Sequence, residues 1–166
     1  MVKSAIGKLL LVGLAMAAAV PASAEPRQVP QIRLADAQAM ARKVVELATA
    51  KGLNVSMVVV NREGRVILSQ RMDDASYFSL EVAKGKAITA ATTGVPTLLL
   101  DQMPEKDKLS LLTVPDIVTI AGGVPIIISG SVVAGIGVSG AAPQDDNGMA
   151  EGGVKAALPT AATTPQ

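Results

Sequence analysis

The chain has 166 residues, of which 49% are hydrophobic and 17% charged, and its formal net charge is +1. It contains no Cys, His or Trp, which excludes disulfides, thiolate and imidazole catalysis and most zinc sites. With one Tyr, one Phe and a charge near neutrality, it also lacks the aromatic platform and the basic stripe of a nucleic-acid-binding protein.

The first 24 residues have the pattern of a secretory signal peptide. Lys3 and Lys8 supply positive charge, residues 9–20 form a short apolar run, and an Ala-x-Ala site ends at Ala24. The run is shorter than the about 20 residues that a membrane-spanning helix needs, so cleavage after Ala24 is favoured over a membrane anchor. We therefore expect a periplasmic or secreted bacterial protein with no stable membrane anchor. Its net charge falls from +1 to −1 because two lysines are removed.

The mature chain is predicted to form one domain over residues 34–158. Residues 25–33 contain two prolines and are predicted to be an extended lead-in, and residues 159–166 a disordered tail of small residues. Apolar spacing and turn residues predict the elements of the domain in chain order. They are a helix over 34–51, strands over 55–60 and 65–71, helices over 75–93 and 97–103, a charged loop over 104–108, strands over 117–121, 126–129 and 132–138, and a helix over 144–158.

This order predicts the α/β class, with a mainly antiparallel five-stranded sheet and flanking helices. Gly52 and Gly94 are expected to end helices, and Gly64 to occupy the turn of the first hairpin. With so few aromatic residues, the core must consist of Ala, Val, Ile, Leu and Met.

A glycine-rich segment, residues 135–140, matches the pattern GxGxxG. A dinucleotide site needs this pattern to open a helix within a βαβ unit, and here an Ala-Ala-Pro segment follows it. We therefore interpret the glycines as positions where another backbone or a flat ligand comes close. Ser139 lies in this segment without a GxSxG frame or a histidine to activate it, so it is not predicted to be a nucleophile.

Two pairs of adjacent carboxylates and two lysines are the remaining candidates for chemistry. The pairs, residues 73–74 and 145–146, either bind a hard cation or serve as turn and helix N-terminal charges, and the second interpretation is favoured. Lys84 and Lys86 are two residues apart on a predicted helix, so they do not form one cationic patch.

Four segments in order, residues 71–75, 83–90, 122–126 and 137–141, resemble the GlcG/HbpS-type haem-binding family, also called the haem-degrading domain family. The resemblance spans about residues 34–158, nearly the whole mature chain. It implies a profilin- or PAS-like layered sandwich that is commonly a homo-oligomer. It also implies haem as the cofactor, in sensing, sequestration or oxidative breakdown.

The resemblance also implies a set of cofactor-binding residues within and beside the matching segments. They are Arg71, Met72, Tyr77, Lys84, Lys86, Thr89, Gly122, Gly123, Pro125 and Ser139.

The chain departs from the family pattern at three points. Asp74 stands where members usually have Gly, Asn61 where they often have Asp, and no His is present to ligate iron. An axial ligand would therefore be a Tyr, a Met, a Lys or a hydroxyl, with Met72 and Tyr77 as the candidates. Core packing is the alternative role for both. Arg71, Lys84 or Lys86 would pair with haem propionates.

The sequence thus supports a secreted haem- or tetrapyrrole-binding protein. The alternative is an oligomeric accessory module that serves a periplasmic oxidoreductase and binds no cofactor. An enzyme acting through its carboxylates is the third hypothesis. We expect no catalysis by a side chain, because haem breakdown would be chemistry of the bound iron.

Overall fold

The computed structural model describes residues 30–158. The predicted signal peptide, most of the lead-in and the predicted tail lie outside these residues. The elements in chain order are α1 (Leu34–Ala50), β1 (Ser56–Asn61), β2 (Val66–Arg71), α2 (Tyr77–Thr93), α3 (Thr97–Asp101), α4 (Glu105–Leu111), β3 (Gly123–Ile128), β4 (Ser131–Ser139) and α5 (Pro143–Ala157).

Both predicted hairpins form, and they join into one antiparallel sheet in the order β2-β1-β4-β3. The two outer pairs are the hairpins themselves, and β1 pairs with β4 at the centre, from Ser56 opposite Ser139 to Asn61 opposite Ala134. The α/β class and the flanking helices are therefore confirmed. The sheet has four strands, so the prediction of five is wrong.

The error lies in residues 117–121, which were predicted to be a strand and are irregular. Two of its N–H groups donate to side chains rather than to a neighbouring strand: Val118 N–H to Thr89 Oγ1 at 2.8 Å, and Ala121 N–H to Asp101 at 3.4 Å. Gly122 then turns the chain into β3 with a φ of +125°, a conformation that favours glycine.

The prediction of a charged loop over residues 104–108 is also wrong, because α4 begins there. Pro104 immediately precedes the helix, Glu105 and Asp107 lie in its first turn, and Lys108 lies in its last turn. Acidic residues near the start of a helix and a basic residue near its end interact favourably with the helix dipole, and proline is common where a helix begins. The charged residues therefore indicate a helix rather than a loop.

Helices cover both faces of the sheet. One face of β1, with Val58 and Val60, packs against Ala83 and Ala87 of α2. The alternate residues of β1 face the larger core formed with α1 and α5. None of the helices within residues 30–158 is long and apolar enough to cross a membrane.

Two glycines of β4 determine how closely α2 approaches the sheet. A Cβ added at Gly137 would lie 2.0 Å from the backbone oxygen of Ala83, and one at Gly135 would lie 2.4 Å from that of Ala87. The interpretation of these glycines as a site of close backbone approach is therefore confirmed, with α2 as the approaching backbone. The close approach buries Lys86, which lies between the two alanines.

Candidate functional site

A cleft of about 290 Å³ lies where β4 ends and where α2 and α5 begin. Its walls are apolar and its polar groups are hydroxyls and one ion pair. The lining residues are Ser76, Phe78, Ser79, Val82, Lys86, Ile120, Ser139, Gly140, Ala141, Pro143 and Asp146. Of the ten residues predicted for the site, the cleft brings together Lys86 and Ser139.

A buried ion pair forms the floor of the cleft. Lys86 and Asp146 expose only 1% and 2% of their side chains, and Lys86 Nζ lies 2.9 Å from Asp146 Oδ2. The same ammonium donates to the backbone oxygen of Val138 at 2.9 Å, and Asp146 Oδ1 accepts from Ala141 N–H at 3.0 Å. The pair therefore joins α2, the end of β4 and the start of α5.

Burial shifts the protonation equilibria of both partners toward their neutral forms. It lowers the pKa of Lys86, against the attraction of the Asp146 carboxylate. It raises the pKa of Asp146, against the attraction of the Lys86 ammonium. The pair carries no net charge, so it gives the cleft hydrogen-bonding groups but no unpaired ion.

Gly122 leaves the space that the ion pair occupies. A Cβ at this position would lie 2.8 Å from Lys86 Nζ and 2.9 Å from Asp146 Cβ. Gly123 has a different role, because its N–H donates to Thr97 Oγ1 at 2.7 Å and a Cβ there would meet the Lys86 backbone oxygen at 2.4 Å. Both glycines therefore leave room for neighbouring groups, Gly122 for the ion pair and Gly123 for the backbone of α2.

Two exposed aromatic side chains lie side by side at the start of α2, and the second of them lines the cleft. Tyr77 and Phe78 open α2, and they expose 81% and 75% of their surface. The Arg71 guanidinium lies over the Tyr77 ring at 4.4 Å from its centroid, and its Nη1 donates to the backbone oxygens of Met72 and Ala75. We call Arg71, Tyr77 and Phe78 the aromatic rim.

The other predicted site residues lie elsewhere. Met72 packs against the large core. Thr89 is fully buried, and its hydroxyl donates to the Gly85 backbone oxygen and accepts from Val118 N–H. Pro125 is buried in β3 opposite Gly135. Lys84 is exposed on the opposite side of α2 from Lys86, as the spacing of the two lysines predicted.

Sequence reasoning missed Phe78 and Ile120 and assigned Asp146 only to a carboxylate pair. Asp145 and Asp146 have different partners, since Asp145 pairs with Lys51 at the surface. Within residues 30–158, no three His, Cys, Asp or Glu side chains are placed to hold a metal ion together. The one signal for Phe78 was its rarity, because the chain has a single Phe.

A second cavity, of about 230 Å³, lies between the lead-in and the turn after β1. It is lined by Pro30, Gln31, Ile32, Asn61, Arg62, Glu63, Ile67 and Val133. None of the predicted site residues lies there, and its charged groups belong to the turn, so the cleft with the aromatic rim is the better candidate.

The sequence and the antiparallel α/β fold both match a known family of proteins. The model of the HbpS-like haem-degrading protein family matches residues 32–155, and the chain belongs to this family. A 15.0 kDa protein of Citrobacter freundii, from the dhaT-dhaS intergenic region, is 33% identical over 129 residues, which are 75% of this chain and 91% of that protein.

Two solved structures show the same fold. A double mutant of HbpS from Streptomyces reticuli is 34% identical with a TM-score of 0.74, over 84% of this chain and 95% of that one. The crystal structure of a PduOC–haem complex is 26% identical with a TM-score of 0.74, over 81% of this chain and 99% of that one. The suspected relationship is therefore confirmed at the level of the family.

Proposed function

We propose that this protein binds haem at the aromatic rim, with the porphyrin lying across the mouth of the cleft. Membership of a haem-degrading family and the solved complex of a relative with haem support this proposal. The observation that carries it is the exposure of Tyr77 and Phe78. They are the only aromatic residues of the chain, and both lie at the surface instead of in the core.

Haem fits better at the surface, on the aromatic rim, than inside the cleft. A cleft of about 290 Å³ is at the small end of ligand sites. The exposed side chains of Phe78 and Ile120 line the cleft, and both offer a porphyrin ring apolar contact. The Tyr77 phenol is an oxygen ligand of a kind that haem proteins use, and it replaces the absent histidine.

The remaining candidates for contact with haem are already engaged. Lys86 is paired with Asp146, Thr89 makes two hydrogen bonds, and Met72 packs on the core. Lys84 is exposed on the other side of α2. Arg71, which lies over the Tyr77 ring, is therefore the cation that would pair with a propionate. When bound, haem supplies the iron redox chemistry, and the protein supplies binding and orientation.

A hemin titration of residues 25–166 tests this proposal. We expect a Soret band that saturates at a fixed stoichiometry, and about tenfold weaker binding for Phe78→Ser, since 1.4 kcal/mol of lost apolar contact gives that factor. Val66→Ser is the matched control, because Val66 is an exposed apolar side chain at the other end of β2 from Arg71. Absorbance that rises without saturation, or equal weakening in both variants, contradicts the proposal.

The proposal has two further parts. The protein is exported from the cytoplasm, and its domain has a profilin- or PAS-like layering. The signal-peptide pattern of residues 1–24 supports export, and the helices on both faces of the antiparallel sheet support the layering. Export predicts that protein recovered from the periplasm or medium of a bacterial host begins at Glu25, as measured by intact mass. A chain that keeps residues 1–24 contradicts this prediction.

We also propose that the protein is a homo-oligomer. The alternative function, an accessory module that binds no cofactor, would have the same oligomeric arrangement. α4 has no buried residue, and Leu109, Leu112 and Val114 in and after it are at least half exposed. Light scattering should give a mass that is a multiple of the chain, and Leu109→Lys with Leu112→Lys should reduce it. A monomeric wild type contradicts self-association.

A further inference from the structure

We propose that the cleft is a second site, which takes small uncharged aldehydes or ketones and condenses them reversibly with Lys86. This site lies beneath the aromatic rim, where the haem proposal places the porphyrin, and Phe78 belongs to both sites, so the reaction is tested without hemin. Neither family membership nor the haem proposal gives the Lys86–Asp146 pair a role.

The placement of Lys86 is the first argument. Its side chain is almost fully buried and yet lines the cleft, with Phe78, Val82 and Ile120 among the apolar neighbours. An ammonium has three N–H donors, and the structure gives two of them partners, Asp146 Oδ2 and the Val138 backbone oxygen. Within residues 30–158 the third has no hydrogen-bond partner, so it is the donor that the carbonyl oxygen of a ligand would meet.

The charges of the cleft define the ligand class. Lys86 and Asp146 are the only charged residues that line it, and they neutralise each other. A carboxylate or a phosphate would find no unpaired cation there, whereas a neutral carbonyl compound adds no charge to an apolar cleft. The hydroxyl-bearing residues Ser76, Ser79 and Ser139 also line it and suit an oxygen-bearing molecule. The volume limits the ligand to a small one.

The surroundings of Lys86 favour its nucleophilic form. Desolvation by apolar neighbours lowers the pKa of a lysine and so raises the fraction of free amine at neutral pH. The structure shows this direction for Lys86, and the facing charges are Asp146 on α5 and, further away, Asp101 on α3. Asp146, with a raised pKa, is the proton acceptor at 2.9 Å.

The reaction balances without any further reagent. Lys86 Nζ gives one proton to Asp146 Oδ2, and its lone pair forms a bond to the carbonyl carbon. The carbonyl oxygen leaves as water, which takes the two remaining protons of Nζ. Ammonium, carboxylate and aldehyde thus become imine, carboxylic acid and water, and the total charge stays at zero.

Reductive trapping on the wild-type protein, without hemin, tests the proposal. Acetaldehyde with cyanoborohydride at pH 7 alkylates lysines that form imines, and peptide mass spectrometry gives the rate at each one. Lys84, exposed two residues away on the same helix, is the internal control. We expect Lys86 to react several-fold faster than Lys84, because burial lowers the pKa of Lys86 and leaves more of it as free amine. A Lys86 that reacts more slowly than Lys84, or equally fast, is only a structural ion pair, and the proposal is then wrong.

A variant tests the route by which the aldehyde arrives. Ala141→Leu adds bulk to the cleft wall and keeps the backbone N–H that donates to Asp146. It should slow the alkylation of Lys86 several-fold and leave that of Lys84 unchanged. If both rates stay at their wild-type values, Lys86 reacts through opening of the fold, and the cleft is not the site.

Discussion

At the scale of single residues, the Lys86–Asp146 pair is the least replaceable interaction of the site. Two charges removed from water are stabilised only while each has the other, so loss of one partner leaves an uncompensated buried charge. Asp145, the preceding residue, is a contrasting case, because its ion pair with Lys51 is at the surface. Such exposed pairs contribute little to stability.

We predict that Asp146→Ala lowers the free energy of unfolding by about 3–5 kcal/mol, the usual effect of breaking a buried ion pair. The neighbouring Asp145→Ala should lower it by less than about 1 kcal/mol. Urea unfolding followed by circular dichroism measures both, since the chain has no Trp to report by fluorescence. Equal effects of the two substitutions would show that the buried pair is not the link between α2 and α5.

The pairing of Lys86 with Asp146 could not be predicted from the sequence, although both residues had been noticed. They are 60 residues apart in the chain, and no local pattern pairs two residues at that separation. Lys86 is buried because glycines of β4 let α2 lie directly on the sheet. This is a property of tertiary packing rather than of local pattern.

At the scale of elements, the contact between α2 and β4 holds the cleft in shape. The backbone of the helix lies against the backbone of the strand at Gly135 and Gly137, so a side chain at either position would force the two elements apart. Because Lys86 extends from this helix toward the end of β4, the geometry of the ion pair depends on the same contact.

We predict that Gly137→Ala destabilises the protein by about 3 kcal/mol, because the new methyl group would lie 2.0 Å from the Ala83 backbone oxygen. The control is Gly148→Ala on α5, where no atom lies within 4 Å of the added Cβ. Alanine is the better helix former, so this variant should be stabilised by up to about 1 kcal/mol. Thermal unfolding compares the two, and a neutral Gly137→Ala would contradict the close approach.

Element types were predicted well where apolar periodicity was strong and poorly where the backbone was held by side chains. α1 has periodic apolar residues, the hairpins have apolar strands joined by turn glycines, and α2 ends at a glycine. These elements and α5 lie close to where the sequence places them. Residues 117–121 are apolar enough for a strand, but Thr89 and Asp101 accept their hydrogen bonds. No local pattern reveals such partners.

At the scale of the whole molecule, the domain has a large core on one face of the sheet and a smaller, closely packed one on the other. The larger core, with α1 and α5, contains Met40, Met57 and Ile136, whereas α2 contributes mainly alanines to the smaller one. Aromatic residues contribute to neither core. The two that the chain has are therefore available to a ligand at the surface, which is the basis of the haem proposal.

The most direct measurement is a hemin titration of wild-type protein and Tyr77→Phe, side by side. Phenylalanine keeps the ring under the Arg71 guanidinium and removes the phenol oxygen that is proposed to ligate the iron. We predict that the wild type saturates at a fixed stoichiometry, and that the variant binds about tenfold more weakly with a shifted Soret band. Superimposable titrations and spectra would show that Tyr77 does not ligate the iron, and unsaturable binding in the wild type would contradict the haem site itself.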